Sequence, residues 1–257
     1  MRLTFLGTGT SHGIPVPGCA CKVCRSTDPR DNRMRTSILL EKDGKNLVVD
    51  TGPEFRLQAL RAGITHLEAV LYTHSHADHF NGLDDLRAYC KERTLDVYGD
   101  QEVLERMRRC FGYAFRRPDG PLDRLPHLAS HFLEPLQAVS IAGFSVTPIP
   151  LLHGNLPIYG YRIDDLVYAT DCNRIPDASR PFMQGAKVLV LDALRPSMHP
   201  THFSIGEAVD EARSLGAEEC YLIHFSHDVS HQELAASLPE HIHPSYDTLT
   251  LEVGPCA

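Results

Sequence analysis

Short apolar runs recur along the chain, and glycine, proline and acidic residues interrupt them. Runs of this length predict buried strands, most clearly at 69–72 and in the continuous run at 187–191. Asp43-Gly44 and Asp164-Asp165 separate neighbouring runs, so we expect hairpin turns there. The predicted strands cover 3–6, 36–40, 46–49, 69–72, 95–98, 144–149, 158–163, 166–169, 187–191, 220–223 and 249–253.

Helical segments lie between many of these strands, and Gly63 and Gly216 are expected to end two of them. The predicted helices cover 54–62, 81–91, 101–110, 205–214 and 231–237, and the Pro-rich stretch 112–130 is expected to be irregular. Strands alternate with helices in both halves, and hairpins are mixed in. This order predicts an α/β fold in which two mixed sheets pack together with helices outside.

Size and composition suit one globular domain. The chain has 257 residues, 42% of them hydrophobic and 23% charged, and no linker is evident. We therefore predict a single domain over 1–257, with a Gly- and Pro-rich N-terminal loop at about 7–35. The net charge of −8 argues against a stable nucleic-acid complex, which needs a basic field.

The start of the chain resembles a strand and a glycine loop rather than a signal peptide. No apolar run approaches the roughly 20 residues of a membrane helix. We therefore expect a cytoplasmic protein without membrane contact.

A dense group of metal-binding side chains follows the strand at 69–72. Residues 74–79 read His-Ser-His-Ala-Asp-His, and such imidazole and carboxylate groups suit zinc, manganese or iron. His74 and His76 are two residues apart, so they point the same way in an extended segment. Asp78 and His79 then turn into a helix and can face a second ion. One loop thus offers ligands to two metals.

The string from Thr73 to His79 resembles the His-x-His-x-Asp-His signature of the metallo-β-lactamase superfamily. Four further segments resemble superfamily motifs in family order: 48–52 (Val-Val-Asp-Thr-Gly), 152–154 (Leu-His-Gly), 168–172 (Tyr-Ala-Thr-Asp-Cys) and 222–224 (Leu-Ile-His). The resemblance covers nearly the whole chain and implies the four-layer αββα sandwich of that superfamily.

The resemblance also implies roles for individual residues. One divalent metal would be held by His74, His76 and His153, and a second by Asp78, His79 and His224. Asp171 would bridge the two ions, which would hold a hydroxide between them as nucleophile. Asp50 would orient a ligand histidine through its other ring nitrogen.

Three cysteines lie within six residues: Cys19, Cys21 and Cys24. They supply three thiolates, one ligand short of a closed zinc site, and His227 is the natural fourth donor because it leaves the same strand as His224. The loop from Gly7 to Pro15 and this Cys-x-Cys-x2-Cys motif resemble the phosphodiesterase branch that includes phosphoribosyl 1,2-cyclic phosphate phosphodiesterases. In that branch the three cysteines and a histidine bind one structural zinc.

The proton donor for the leaving group is assigned by the same resemblance. His202 matches the catalytic histidine of the branch, and His199 is the competing candidate. The metal ligand Asp78 is counted with His202 among the catalytic residues. The roles of His12 and of the Arg-rich stretch 106–124 stay open.

The predicted function is hydrolysis of a small phosphodiester, with cyclic phosphates included. One alternative is tRNA 3′ processing, although the negative net charge disfavours binding of tRNA and no long Gly/Pro-rich arm that could hold tRNA is evident. Another is a lactonase or thioesterase of the same fold. A homodimer is the default oligomeric state.

Overall fold

The computed structural model describes residues 1–91, 93–115 and 125–254. The strands are β1 (Arg2–Gly7), β2 (Ser37–Lys42), β3 (Lys45–Val49), β4 (Ala69–Leu71), β5 (Leu95–Gly99), β6 (Leu128–Phe132), β7 (Val139–Ile141), β8 (Phe144–His153), β9 (Leu156–Ile163), β10 (Leu166–Ala169), β11 (Val188–Asp192), β12 (Glu219–Ile223), β13 (Ile242–Pro244) and β14 (Thr250–Glu252). The α-helices are α1 (Phe55–Ala62), α2 (Ala77–Phe80), α3 (Gln101–Cys110), α4 (Arg180–Met183), α5 (Ile205–Leu215) and α6 (His231–Ser237). None of the helices in these ranges is long and apolar enough to cross a lipid bilayer.

The first sheet has the order β14-β1-β2-β3-β4-β5-β6. Its first three pairs are antiparallel, and β3 through β6 run parallel. The β2–β3 hairpin turns at Asp43 and Gly44, whose φ angles of 50° and 71° are the positive values that a tight two-residue turn requires. The carboxyl ends of β3 and β4 therefore meet at one edge of this sheet.

The second sheet repeats this plan, with the order β13-β12-β11-β10-β9-β8-β7. The β7–β8, β8–β9 and β9–β10 pairs are antiparallel, whereas β10 through β13 run parallel. The carboxyl ends of β10, β11 and β12 therefore lie side by side.

Both faces of each sheet are covered. In β3, Leu47 and Val49 belong to the apolar cluster between the two sheets, whereas Val48 packs in the cluster beneath the outer helices. The residues of β11 alternate between the two sides in the same way. A sheet that is apolar on both faces needs helices on its outer side, and the structure confirms the predicted four-layer αββα sandwich.

Differences from the predicted elements fall in short segments. The stretch 112–130 contains the start of β6, and the sequence pattern missed β7, β13 and α4, which have only three or four residues each. The predicted helix 81–91 is a 3₁₀ segment, Leu83–Tyr89. The strands β6, β7 and β13 lie at sheet edges, where pairing with one neighbour defines them, and no local periodicity reveals such pairing.

Candidate active site

The predicted metal ligands follow strand ends from both sheets and meet at one edge of the sandwich. They are His74, His76, Asp78 and His79 after β4, His153 at the end of β8, Asp171 after β10 and His224 after β12. This placement agrees with the general location of sites at the carboxyl ends of parallel strands.

One group combines Asp78, His79, Asp171 and His224, whose ligand atoms all lie within 4.8 Å of one another. Asp171 Oδ1 is 3.2 Å from Nε2 of His79 and 3.2 Å from Nε2 of His224. Asp78 Oδ2 is 3.4 Å from Nε2 of His79. Two ligands of a tetrahedral zinc, each at about 2.0–2.1 Å, are about 3.3 Å apart, so these spacings fit one ion.

The other group contains His74, His76 and His153. The ring centroid of His76 is 4.5 Å from that of His74 and 5.0 Å from that of His153. Asp171 Oδ2 faces this group, 3.8 Å from Nε2 of His74. The two oxygens of Asp171 therefore point to different histidine groups, as a carboxylate that bridges two cations must do.

Several ring nitrogens in this centre lack the hydrogen bond that burial demands. Within the described residues, Nε2 of His74, His79 and His224 is buried and makes no hydrogen bond. Each unpaired buried polar atom costs about 1–3 kcal/mol. Because all three atoms face Asp171, cations bound on its two sides would satisfy them, and the residues fit a metal centre.

Hydrogen bonds to the opposite ring nitrogens fix the orientation of these ligands. His79 Nδ1 lies 2.7 Å from Asp50 Oδ2, and His153 Nδ1 lies 3.0 Å from the carbonyl oxygen of Thr201. Asp50 also accepts bonds of 2.8 Å from the backbone N–H and the hydroxyl of Thr73. Such contacts set the tautomer and leave Nε2 free for a metal.

The Asp50-Thr51-Gly52 segment packs directly against the histidine loop. The backbone N–H of Thr51 donates to the carbonyl oxygen of His79 at 2.7 Å. A Cβ atom on Gly52 would lie 2.3 Å from the carbonyl oxygen of Asp78, so a larger residue would push the loop away. The glycine of this motif therefore serves close packing.

The pKa values of the ligands show an environment suited to a cation. Burial lowers the pKa of His74 well below its ordinary value and that of His153 to about 4. Both rings are therefore neutral near pH 7 and can bind a metal through a ring nitrogen. Burial opposes protonation of His79 as well, but Asp171 and Asp78 outweigh it and raise its pKa. The carboxylates thus attract positive charge to the centre.

Asp192, at the end of β11, is a site residue that the sequence reasoning missed. It is fully buried, with Oδ2 3.3 Å from Nδ1 of His202 and Oδ1 3.4 Å from Nδ1 of His224. It also accepts the backbone N–H of Phe203 at 3.0 Å. An acidic residue ending an apolar parallel strand was the available signal, the same one that marks Asp50.

His202 lies beside both histidine groups. Its ring stacks on His224 with centroids 4.9 Å apart and meets His153 edge-on at 4.6 Å. Ser204, two residues later, is the N-cap of α5 and forms a capping box with Glu207, which holds this part of the chain.

Three of the site residues adopt the left-handed backbone conformation. Asp50, Asp171 and His224 have φ angles of 64°, 55° and 68°, and each closely follows the end of a strand. This conformation costs residues other than glycine roughly 1–3 kcal/mol each. The surrounding hydrogen bonds must offset that cost. The sequence pattern did not predict the left-handed conformation of these three residues.

A second cluster lies on the N-terminal loop. His227 Nδ1 is 3.2 Å from Sγ of Cys19, 3.5 Å from Sγ of Cys21 and 3.7 Å from Sγ of Cys24. The sulfur and nitrogen ligands of a tetrahedral zinc are about 3.6 Å apart. The four predicted ligands are therefore close enough to share one ion.

The thiols of this cluster do not ionise independently. A hydrogen bond from the backbone N–H of Cys24 lowers the pKa of Cys21 to about 6. Burial and the neighbouring thiols raise the pKa of Cys24 to about 11. Three adjacent thiolates repel one another, and a bound cation would neutralise that repulsion.

Two features that the sequence left open remain without an assigned role. His12 is exposed. Of the basic stretch, Arg106, Arg108 and Arg109 are on α3, whereas 116–124 lies outside the described residues.

Comparison with known proteins identifies the family. The β-lactamase superfamily domain matches residues 45–225. The chain belongs to the β-lactamase superfamily. The predicted superfamily is thus confirmed.

Full-length similarity gives a narrower placement within the superfamily. A diphosphatase of the PhnP family is 39% identical in sequence, with a TM-score of 0.91 over 99% of this chain and 98% of that one. The chain therefore belongs to that family too. Zinc-bound PqqB from Methylobacterium extorquens is 17% identical over 98% of this chain and 100% of that one, with a TM-score of 0.81, which shows the superfamily fold alone.

A curated relative shares the sequence but is much longer. The octanoyltransferase of Porphyromonas gingivalis strain W83 is 43% identical over 252 residues. The match covers 97% of this chain and 51% of that protein. This superfamily chain therefore spans about half the length of that relative.

Proposed function

We propose that the chain hydrolyses a small phosphodiester with the help of two divalent metal ions. The observation that carries this proposal is the orientation of the Asp171 carboxylate, whose two oxygens face two separate groups of histidines. A pair of cations can stabilise both the attacking and the leaving oxygen of a phosphoryl transfer.

The residues suit this role. His74, His76 and His153 would hold one ion, Asp78, His79 and His224 the other, and Asp171 would contact both. When bound, such a pair supplies Lewis acidity and makes a coordinated water acidic enough to react near neutral pH. Imidazole and carboxylate ligands accept zinc, manganese or iron. Cys19, Cys21, Cys24 and His227 would hold a structural zinc, because a closed thiolate-rich set leaves no position for substrate.

His202 would protonate the oxygen of the leaving alcohol. Asp192 fixes one ring nitrogen of His202, and the stacking on His224 keeps the ring beside the metal ligands. A group positioned in this way contributes about 10²- to 10⁴-fold to the rate. The substrate would be a small molecule rather than a nucleic acid held in a stable complex.

A second candidate activity is cleavage of a diphosphate, because the 39% identical relative of nearly equal length is a diphosphatase. Both reactions break a P–O bond next to charged oxygens, so the same ligands serve either one. The remaining alternatives are tRNA 3′ processing and a lactonase or thioesterase activity, and the octanoyltransferase relative makes an octanoyl ester the probe for the second.

The test combines metal content with turnover. Plasma mass spectrometry of the purified protein should find about three metals per chain, and added manganese or zinc should support hydrolysis of bis-p-nitrophenyl phosphate. His202→Ala should keep the metals and lose about 10²- to 10⁴-fold of this turnover. Loss of the metals in this variant would contradict the role of His202.

The substrate class is decided by a panel on the metal-loaded protein. The panel contains a cyclic phosphodiester, a nucleoside diphosphate, a precursor tRNA and an octanoyl ester. We expect the phosphodiester to react fastest. A protein that hydrolyses only the octanoyl ester would overturn the proposal.

A further inference from the structure

The segment from Arg195 to Phe203 is held firmly at the edge of the active site. Asn173 links it to the turn between β8 and β9, because its amide donates to the carbonyl oxygen of Pro200 at 2.9 Å and accepts the backbone N–H of Gly154 at 2.8 Å. Arg195 donates to the carbonyl oxygen of Met198 at 3.1 Å. A side chain on this segment therefore has a defined position relative to the metal ligands.

His199 lies on this segment, and its hydrogen bonds define its tautomer. Its Nδ1 accepts the backbone N–H of Thr201 at 3.4 Å and lies 3.2 Å from the hydroxyl of the same residue. A backbone N–H can only donate, so Nδ1 carries no proton and Nε2 carries it. Within the described part of the chain, Nε2 of His199 makes no hydrogen bond, and the side chain is half-buried rather than enclosed.

The neighbour of this free N–H is the proposed proton donor. The ring centroids of His199 and His202 are 5.1 Å apart, with the planes at 49°. The two rings are held in the same way. Nδ1 of His202 contacts Asp192, and Nδ1 of His199 contacts Thr201. Two imidazoles thus present their Nε2 atoms away from their anchoring groups at one rim of the site.

We propose that His199 binds substrate by donating a hydrogen bond from Nε2 to a phosphoryl oxygen, next to the proton donor His202. This inference rests on the proposed phosphodiesterase function and adds a substrate contact to it. An N–H that meets a charged oxygen gives one of the stronger hydrogen bonds in proteins, and its strength grows as negative charge develops during the reaction.

A positioning role is the competing explanation. His199 Nδ1 holds the backbone N–H of Thr201, and the carbonyl oxygen of Thr201 holds His153. In that case His199 would act on the metal ligand His153, and only its Nδ1 would matter. The two roles therefore use different nitrogens of one ring.

Two amide substitutions separate these nitrogens. The amide nitrogen of glutamine is as many bonds from Cα as Nε2 of histidine, so His199→Gln keeps a donor there and loses the Nδ1 acceptor. The amide oxygen of asparagine corresponds to Nδ1, so His199→Asn keeps the acceptor and loses the distal donor. Each variant is the matched control for the other.

The experiment compares wild type and both variants as metal-loaded protein. The readouts are metal content, kcat/KM for bis-p-nitrophenyl phosphate, and calorimetric titration with inorganic phosphate. We expect full metal content in all three proteins, with His199→Gln retaining more turnover and phosphate affinity than His199→Asn. His199→Asn should lose about 10- to 100-fold in kcat/KM and bind phosphate more weakly.

The opposite order would overturn the inference. If His199→Asn retains turnover and phosphate affinity while His199→Gln loses metal, the side chain acts through Thr201. If wild type hydrolyses no phosphodiester, the proposed function fails, but the phosphate titration still decides the contact. Equal phosphate affinity of wild type and His199→Asn, or no phosphate binding by wild type, would then rule it out.

Discussion

The two ligand clusters of the molecule differ in how their donor atoms are held. The histidine and aspartate cluster follows strand ends, and a carboxylate and a carbonyl group hold Nδ1 of His79 and of His153. The cysteine cluster lies on a loop, its thiols are half-buried, and backbone N–H groups donate to two of them, Cys21 and Cys24. Ligands on strands are placed by the sheet, whereas ligands on a loop depend on their metal for order.

The clusters are nevertheless connected through the segment after β12. Phe225 lies between His224 and His227, and its backbone pairs with the glycine loop through Thr8 and Thr10 at 3.0 and 2.9 Å. The guanidinium of Arg33 lies 5.0 Å above the Phe225 ring. Loss of the metal from the cysteine cluster can therefore affect the histidine and aspartate cluster through this segment.

The largest effect is expected for Asp171→Asn. The substitution removes the charge shared by both histidine groups, so binding of both active-site metals weakens. Turnover should fall by more than the roughly 100-fold that is lost when a hydrogen-bond partner of a metal ligand is removed. Plasma mass spectrometry should show one metal remaining per chain, the one in the cysteine cluster. The exposed Asp177→Asn serves as control. A variant that keeps three metals would contradict the bridging assignment.

Cys21→Ser tests the other side of the comparison. The zinc that orders the loop should be lost, so the metal count falls by one and the protein becomes less stable. A loss of about 3 kcal/mol would lower Tm by roughly 6–12 °C in a protein of this size. Calorimetry measures this shift, and Cys110→Ser, at an exposed cysteine, should leave it unchanged. Unchanged metal content in Cys21→Ser would remove the structural-zinc assignment.

Asp192→Asn tests the buried carboxylate that lies beside the histidine and aspartate cluster. The amide keeps the shape but replaces one carboxylate oxygen beside His202 and His224 with an NH₂ group, and we expect turnover to fall about 10- to 100-fold. Stability and the cysteine-bound metal should change little. The exposed Asp210→Asn is the control for the same substitution at the surface. Turnover equal to wild type in Asp192→Asn would mean that the carboxylate positions neither histidine.

The smallest effect concerns pH. The pKa of Cys21 is lowered from 9.0 to about 6, so the stability gained from its thiolate is complete above pH 9 and is lost as pH falls through 6. His153, with a pKa of about 4, stays neutral over that range. Acidification from pH 7 to pH 5 should therefore release metal from the cysteine cluster. A zinc-sensitive dye measures the release, and Cys21→Ser, which lacks that metal, shows which cluster supplied it.

Much of the fold and of the donor set is readable in the sequence because the signals are local. The segments 19–24 and 74–79 each place several donors within six residues, and the strand before His74 is visible as an apolar run. The hairpin turn at Asp43-Gly44 is equally local, since two residues carry the whole conformational requirement. The order of motifs along the chain was sufficient to predict the superfamily.

The tertiary structure alone decided which groups outside the recognised motifs complete the site. Asp192 contacts His202 and His224 only because β11 and β12 are parallel neighbours, and a single aspartate after an apolar run carries no such information. The edge strands β6, β7 and β13 likewise exist through pairing. Local sequence determines local conformation and donor type, whereas contacts between residues far apart in the chain require the packing of both sheets, and this packing sets the distances on which the proposed chemistry depends.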